Sequence, residues 1–239
     1  MKRVIIIGAS EGIGRELARL YAKEHYIIGI TARRAELLEQ LKDELGENIH
    51  VMPMDVARTD EAIQRFNALT EQMDGADIVI ISAGTGHENP ELRWEPEEDT
   101  IDVNVKGFTC IADAAFRYFA ERGQGRLAAI SSVAALRGSA GSPAYNASKA
   151  YVSNYMEGLR CKASRISRDI IVTDIKPGFV DTKMAQGEGL FWVACPQRAA
   201  EQIVRLISKG KTHGYVTKRW ALIAFLLRIM PDRLYNKLF

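Results

Sequence analysis

The sequence lacks most of what marks a secreted, membrane-spanning or nucleic-acid-binding protein. Its 239 residues include only three cysteines, Cys110, Cys161 and Cys195, odd in number and widely spaced. That excludes a disulfide framework and suggests a reducing compartment. No run of about 18 uncharged apolar residues occurs; the longest approach, Trp220 to Met230, is broken by Arg228. After Met1-Lys2-Arg3 the apolar run stops at Ile7, too short for a signal-peptide core, so a cytoplasmic location is expected. Charge of one sign is also missing. Lys plus Arg is 32 against 30 Asp plus Glu, a net charge of +2. With no long basic run, nucleic acid is not an expected partner. The four histidines, His25, His50, His87 and His213, share no ligand spacing and have no cysteine beside them, so no metal site is expected.

What is present is ordinary globular composition, 47% hydrophobic and 26% charged, in a length that suits one large domain spanning residues 1–239. Short β-branched runs at Val4–Ile7, Tyr26–Thr31, Ile49–Met54, Ala76–Ser82, Arg126–Ser131 and Ile170–Lys176 read as strands, with a last one near Gly214–Val216. Their nearly continuous apolar character fits parallel strands covered on both faces. Amphipathic stretches lie between them: Leu17, Leu20 and Tyr21 form one apolar face, and Leu37, Leu38, Leu41 and Leu45 another. The alternation predicts a doubly wound α/β sheet, whose ligands sit at the carboxyl ends of the strands.

Each strand end therefore carries information. The first is followed by Gly8-Ala9-Ser10-Glu11-Gly12-Ile13-Gly14 and then a helix. Such a glycine turn lets backbone approach a pyrophosphate at a helix N-terminus, although the spacing is GxxxGxG rather than GxGxxG. The second strand ends in Arg33-Arg34 with no acidic residue. An acid would hold a ribose 2′-hydroxyl, whereas Arg33 suits a 2′-phosphate, or else both arginines open a solvated helix. Asp55-Val56 and Ser82-Ala83-Gly84 close the third and fourth strands. Farther on, Tyr145 and Lys149 lie four residues apart, one helical turn, after Ser131-Ser132. An ammonium beside a phenol lowers its pKa and suits it to general acid–base work.

Together these motifs resemble the short-chain dehydrogenase/reductase family, over nearly all of the chain up to Thr182. The family's glycine motif matches Gly8, Gly12 and Gly14, and its catalytic tetrad matches Asn104, Ser132, Tyr145 and Lys149. The intervals, 28 residues from Asn104 to Ser132 and 13 from Ser132 to Tyr145, suit the family. Pro177-Gly178-Phe179-Val180-Asp181-Thr182 resembles its nicotinamide-side turn. Two departures stand out: Ile7 replaces a usual threonine, and Ile81-Ser82-Ala83-Gly84 replaces Asn-Asn-Ala-Gly. Glu11 stands where many NADP-preferring members carry a basic residue.

The resemblance implies a single-domain Rossmann-type fold and hydride transfer between NADP(H), or NAD(H), and a carbonyl or secondary alcohol. Tyr145 would be the general acid–base and Ser132 (or Ser131) would hold the substrate oxygen. Lys149 would bind the ribose and lower the Tyr145 pKa, and Asn104 would place a relay water. Cofactor contacts are expected from Gly8, Ser10, Glu11, Gly12, Ile13, Gly14, Arg33, Asp55, Val56, Ser82, Ala83, Gly84, Asn104, Tyr145, Lys149, Pro177, Gly178, Val180 and Thr182. A non-catalytic NAD(P)-binding regulator is the alternative. An apolar substrate lid is expected over about 183–196, with Met184, Leu190, Phe191, Trp192 and Val193 and with Gly187 and Gly189 as hinges. The acidic cluster from Glu88 to Asp102 reads as a solvated turn into a helix, and Cys110 and Cys161 as inert packing. A homo-oligomer, dimer or tetramer, is expected. From Lys209 to Phe239, seven basic residues face Asp232 alone among many apolar ones. Such a segment contacts an anionic membrane peripherally, or covers the site mouth or a subunit interface.

Overall fold

The computed structural model describes residues 1–183 and 191–238. The apolar runs become β1 (Arg3–Ile7), β2 (Ile27–Ala32), β3 (Ile49–Pro53), β4 (Ile78–Ile81), β5 (Gly125–Ile130), β6 (Ile170–Pro177) and β7 (His213–Val216). They form one seven-stranded sheet in the order β3-β2-β1-β4-β5-β6-β7, every pair parallel. The order reverses between β1 and β4, which places the crevice for a ligand beyond their carboxyl ends. The fourth strand is shorter than the run Ala76–Ser82. Asp77 instead takes the backbone N–H of Arg3 on its carboxylate, at 2.8 Å, and Ser82 turns into the crevice.

Residues alternate cleanly between the two faces, as period-two geometry requires. Ile5, Ile7, Val79, Ile81, Leu127 and Ala129 join the core with α3 (Thr59–Gln72), α5 (Phe108–Arg122) and α6 (Pro143–Ile166). Val4, Ile6, Ile28, Ile30, Ala128 and Ile175 pack with α1 (Gly12–Lys23), α2 (Ala35–Leu45) and α7 (Pro196–Ser208). Two further helices, α8 (Trp220–Ile229) and α9 (Asp232–Leu238), follow β7.

The acidic cluster is more than a solvated turn. It leads into α4 (Trp94–Ile101), whose Glu97 accepts the backbone N–H of Ala144 at 3.0 Å and the Asn89 amide at 2.7 Å. One carboxylate thus caps the start of α6, whose own N-terminal residue supplies no side-chain cap. Beyond α4 the helix passes through a π turn, Asp102–Gly107, into α5. Such turns inside a helix aim a side chain out of the regular register, and here that side chain is Asn104.

Candidate active site

The glycine turn is required by contact. A Cβ on Gly14 would lie 2.0 Å from the Gly8 carbonyl oxygen, and one on Gly8, at φ +90°, would lie 2.5 Å from the Ala83 nitrogen. Without side chains, α1 packs directly onto the β1 turn and the two central strand ends close up. The Ile7 carbonyl takes the N–H groups of Ser82 and Ala83 at 2.8 and 2.7 Å, so backbone ties β1 to β4 where threonine is usual. Among the described residues no side chain caps the N-terminus of α1, and no acid occupies its first turn. Its first N–H groups face the crevice as an anion cradle.

On the opposite wall, Ser131 and Ser132 separate sharply. Ser131 is buried and donates to Asp174 at 2.5 Å and to the Ile175 carbonyl at 3.0 Å. Its hydroxyl is thus engaged within the fold, although the residue also borders the cavity. Ser132 Oγ accepts the Ala134 N–H at 3.0 Å, which leaves its own O–H to donate into the crevice beside Tyr145. Asn146, next to Tyr145, donates to the carbonyls of Ala134 and Arg137 at 3.2 and 2.7 Å. It pins the 3-10 turn Val133–Leu136 to α6 and so fixes Ser132 relative to Tyr145.

Lys149 is 5% exposed and donates to the Ile130 carbonyl at 3.0 Å. Its ammonium lies 5.8 Å from the Tyr145 ring centroid. Burial pulls its pKa down to about 8, against the pull of Asp174, which favours the charged form. Asp174 is itself buried and pairs with Lys176 and Ser153 on the same face of the sheet. The Tyr145 phenol does not behave as its spacing to lysine suggests. Burial raises its pKa, and only the Ser132 hydroxyl works in the other direction. With the ammonium directed at a backbone carbonyl, desolvation decides the sign. Asn104 sits behind the wall, 1% exposed. Its Oδ1 accepts the Thr85 N–H at 2.9 Å, and its Nδ2 donates to the Thr85 carbonyl and Ser148 Oγ at 2.7 and 3.0 Å. It therefore braces the β4 turn against α6.

These walls enclose a cavity of about 790 Å³. All the residues expected to meet a cofactor line it except Gly14 and Asn104, which sit one layer behind. At one end the exposed Arg33 reaches into it. Arg34 and Lys183 hold Glu11 at 2.9 and 2.6 Å and keep its pKa low. Arg34 also donates to Ser10 at 3.1 Å. The Glu11 charge is thus compensated, and the balance of this end is positive. The glycine cradle, the open helix N-terminus and the cationic end fit a dinucleotide carrying a pyrophosphate.

At the other end the wall is apolar. Phe191 stacks on Trp220 at 5.2 Å between centroids, and Phe179 meets Trp220 edge-on at 5.3 Å. A Cβ on Gly178 would lie 1.9 Å from the Trp220 ring, so this glycine makes room for the indole. Trp192 and Val193 are part-exposed outside the lining. Met184, Gly187, Gly189 and Leu190 lie outside the described residues. Ile223 and Leu227 of α8 and Tyr235 of α9 complete the mouth. Arg137 clasps this tail, donating to the Met230 carbonyl at 3.0 Å and pairing with Asp232 at 2.8 Å, with its guanidinium over the Tyr235 ring. Sequence reasoning missed the roles of Arg34, Lys183, Arg137 and Asn146. The pairings Arg137–Asp232 and Glu11–Lys183 span so many residues that no local pattern shows them.

Among the described residues no cluster of His, Cys, Asp and Glu could hold a metal ion, and no helix is long and apolar enough to cross a membrane. All three cysteines are free; Cys110 is half-buried, and burial raises its thiol pKa to about 11, whereas Cys161 is exposed.

The family model for short chain dehydrogenases matches residues 2–190. An uncharacterised oxidoreductase of Myxococcus xanthus is 35% identical over 98% of this chain and 95% of its own length. The closed form of a serine dehydrogenase complexed with NADP+ superposes with a TM-score of 0.77 at 28% identity, covering 85% of this chain and 88% of that one. A 3-ketoacyl-(acyl-carrier-protein) reductase from Brucella melitensis complexed with NADH shares the fold, with a TM-score of 0.80 at 22% identity over 91% and 97% of the two chains. A glycine cradle at the β1–α1 turn, a serine, tyrosine and lysine brought to one cavity and a match over most of the sequence agree: the chain belongs to the short-chain dehydrogenase/reductase family and is an NAD(P)-dependent oxidoreductase acting on a CH–OH or carbonyl group.

Proposed function

We propose that the enzyme prefers NADP(H) and interconverts a carbonyl and a secondary alcohol on a small, hydrophobic molecule. The observation that carries this is the polarity of one continuous cavity. Arg33 stands at one end, Ser132, Tyr145 and Lys149 at its centre, and Phe191, Trp220, Ile223 and Leu227 at the other end. When bound, the nicotinamide cofactor supplies or receives the hydride. Gly8, Ser10, Glu11, Gly12 and Ile13 would hold its pyrophosphate side, and Asp55, Val56, Ser82, Ala83 and Gly84 the adenosine side and the chain between. Pro177, Gly178, Val180 and Thr182 would flank the nicotinamide.

In reduction, Tyr145 gives its proton to the oxygen of the forming alcohol, and a raised pKa keeps that proton available at neutral pH. Ser132 donates its O–H to the same oxygen, an interaction that strengthens as charge develops there. Lys149 holds the ribose hydroxyls. Asn104 keeps an unused lone pair on Oδ1 with which to hold a relay water toward Lys149. Phe191, packed on Trp220, walls the apolar end within one catalytic domain. The reading carries a cytoplasmic setting, a homo-oligomer built through the long helices, and peripheral contact of the C-terminal segment with a membrane. The non-catalytic regulator is not favoured, since binding alone gives no use for Tyr145 and Ser132 side by side in the cavity.

Fluorescence titration with NADPH and NADH tests the cofactor half. Arg33→Asp is expected to weaken NADPH binding by about tenfold or more while leaving NADH binding nearly unchanged. Equal binding of both by the parent would remove the 2′-phosphate argument. A carbonyl screen with NADPH tests the other half.

A further inference from the structure

Helix α8 has one apolar face too many. Of its ten residues only Arg228 is charged. Trp220 and Ala224 are buried and Ile223 and Leu227 line the cavity, which satisfies the inner side. On the outer side Leu222, Phe225 and Ile229 are 58%, 58% and 61% exposed, and Leu226 is 43% exposed. A water-facing helix normally carries polar residues there. Phe191, Trp192 and Val193 are also part-exposed, with Phe191 and Trp192 packed against Trp220 at the start of the helix, and Leu234 of α9 is exposed as well. The same segment carries the exposed Lys218, Arg219, Arg228, Arg233 and Lys237, and the Arg219 guanidinium lies over the Trp192 ring, 5.1 Å from its centroid. The acid in this segment, Asp232, is held by Arg137 at 2.8 Å. The clasp through Arg137 and Tyr235 fixes α8 across the cavity mouth.

We propose that this face seats on an anionic lipid surface and that the cavity draws its substrate from that surface, a long-chain ketone or secondary alcohol dissolved in the membrane. The occupant is set by charge and continuity. An apolar centre with a cationic rim complements anionic headgroups over acyl chains, whereas a second copy of the same face would bring two cationic rims together. The helix whose outer side meets the lipid walls the reaction cavity with its inner side. An apolar substrate then passes from lipid to the Tyr145 region without entering water. The substrate half of this inference rests on the oxidoreductase reading above; the membrane half stands on α8 and its rim.

The test uses the full chain, phosphatidylcholine vesicles with and without phosphatidylglycerol, and the variant Phe225→Glu/Ile229→Glu, neither of whose positions lines the cavity. The parent is expected to co-sediment with the anionic vesicles at low salt and to be released by high salt. The variant is expected to lose partitioning by about tenfold or more. NADPH oxidation with 2-butanone in solution and 2-hexadecanone in vesicles gives the second readout. The parent should favour the long ketone by about tenfold or more, and the variant should lose that advantage while keeping its rate on 2-butanone. A parent that stays in the supernatant, or reduces both ketones alike, overturns the proposal. So does concentration-dependent self-association of the parent that the double variant abolishes, since the patch is then a subunit interface. Sedimentation with vesicles but no oxidation with either ketone overturns the substrate half and the carbonyl reading together, and leaves the membrane contact standing.

Discussion

Lys149 should cost the cofactor-free protein stability, and replacing it should reveal how much. Its pKa falls from 10.5 to about 8 on folding because the interior disfavours the ammonium. A lysine depressed in this way destabilises the fold wherever the unfolded chain holds a proton that the native state resists. The penalty is full below about pH 8 and fades as pH rises toward 10.5. At 1.36 kcal/mol per pKa unit it amounts to about 3 kcal/mol at pH 7 and less than about 1 kcal/mol at pH 10. Lys149→Met removes the charge at similar volume but also removes the hydrogen bond to the Ile130 carbonyl, worth about 1 kcal/mol. That bond is lost equally at both pH values, so the difference between them isolates the charge. Urea denaturation of both proteins without cofactor is the assay. The variant is expected to gain stability relative to the parent at pH 7 and to give up about 2 kcal/mol of that gain by pH 10. A relative stability that does not change between the two pH values would falsify the claim that the lysine is buried as a charge against its preference.

Two further substitutions probe the supports of the site. Gly178→Ala puts a methyl where the Trp220 ring now lies, 1.9 Å from its nearest atom. Denaturation should show a loss of about 1–3 kcal/mol with altered tryptophan emission, and an unchanged midpoint would mean that the indole moves freely. Asp174→Asn leaves Lys176 buried without its partner and should cost about 3–5 kcal/mol, most of it recovered when Lys176→Met is added. Failure of the second change to rescue the first would mean that Asp174 acts through Ser131 and Ser153 instead.

The strands were legible because a parallel sheet covered on both sides needs apolar residues at every position. The glycine turn and the Tyr145–Lys149 spacing were legible for a similar reason, since steric contact and helical period leave few residue choices. The rest depends on pairs far apart in the chain. Asp174 and Lys176 look like surface charges on a strand until the helix carrying Ser153 is laid over them. Glu97 looks like one more acid in a solvated turn until the bare N-terminus of α6 arrives beside it. Arg137 gives no hint in its own segment that it anchors α8 and α9. Spacing also led to the wrong sign for the Tyr145 pKa, because it brings the lysine near without fixing where its ammonium points.

That sign has a consequence for the direction of catalysis. Lys149 donates its N–H to the Ile130 carbonyl, and burial raises the Tyr145 pKa above the ordinary phenol value. A protonated tyrosine is ready to donate to a carbonyl oxygen, and reduction needs that form. Oxidation of an alcohol needs the phenolate, which is scarce until pH climbs past the ordinary phenol range of about 10. Measured as kcat/KM, reduction is therefore expected to stay level through neutral pH and fall only in strong base, while oxidation rises steadily on the alkaline side. Ser132 opposes this by stabilising the phenolate, so Ser132→Ala should move the oxidation limb farther toward alkali as well as lower both rates. An oxidation rate already level at pH 7 would refute the reasoning, for it requires a phenolate that the buried environment does not favour.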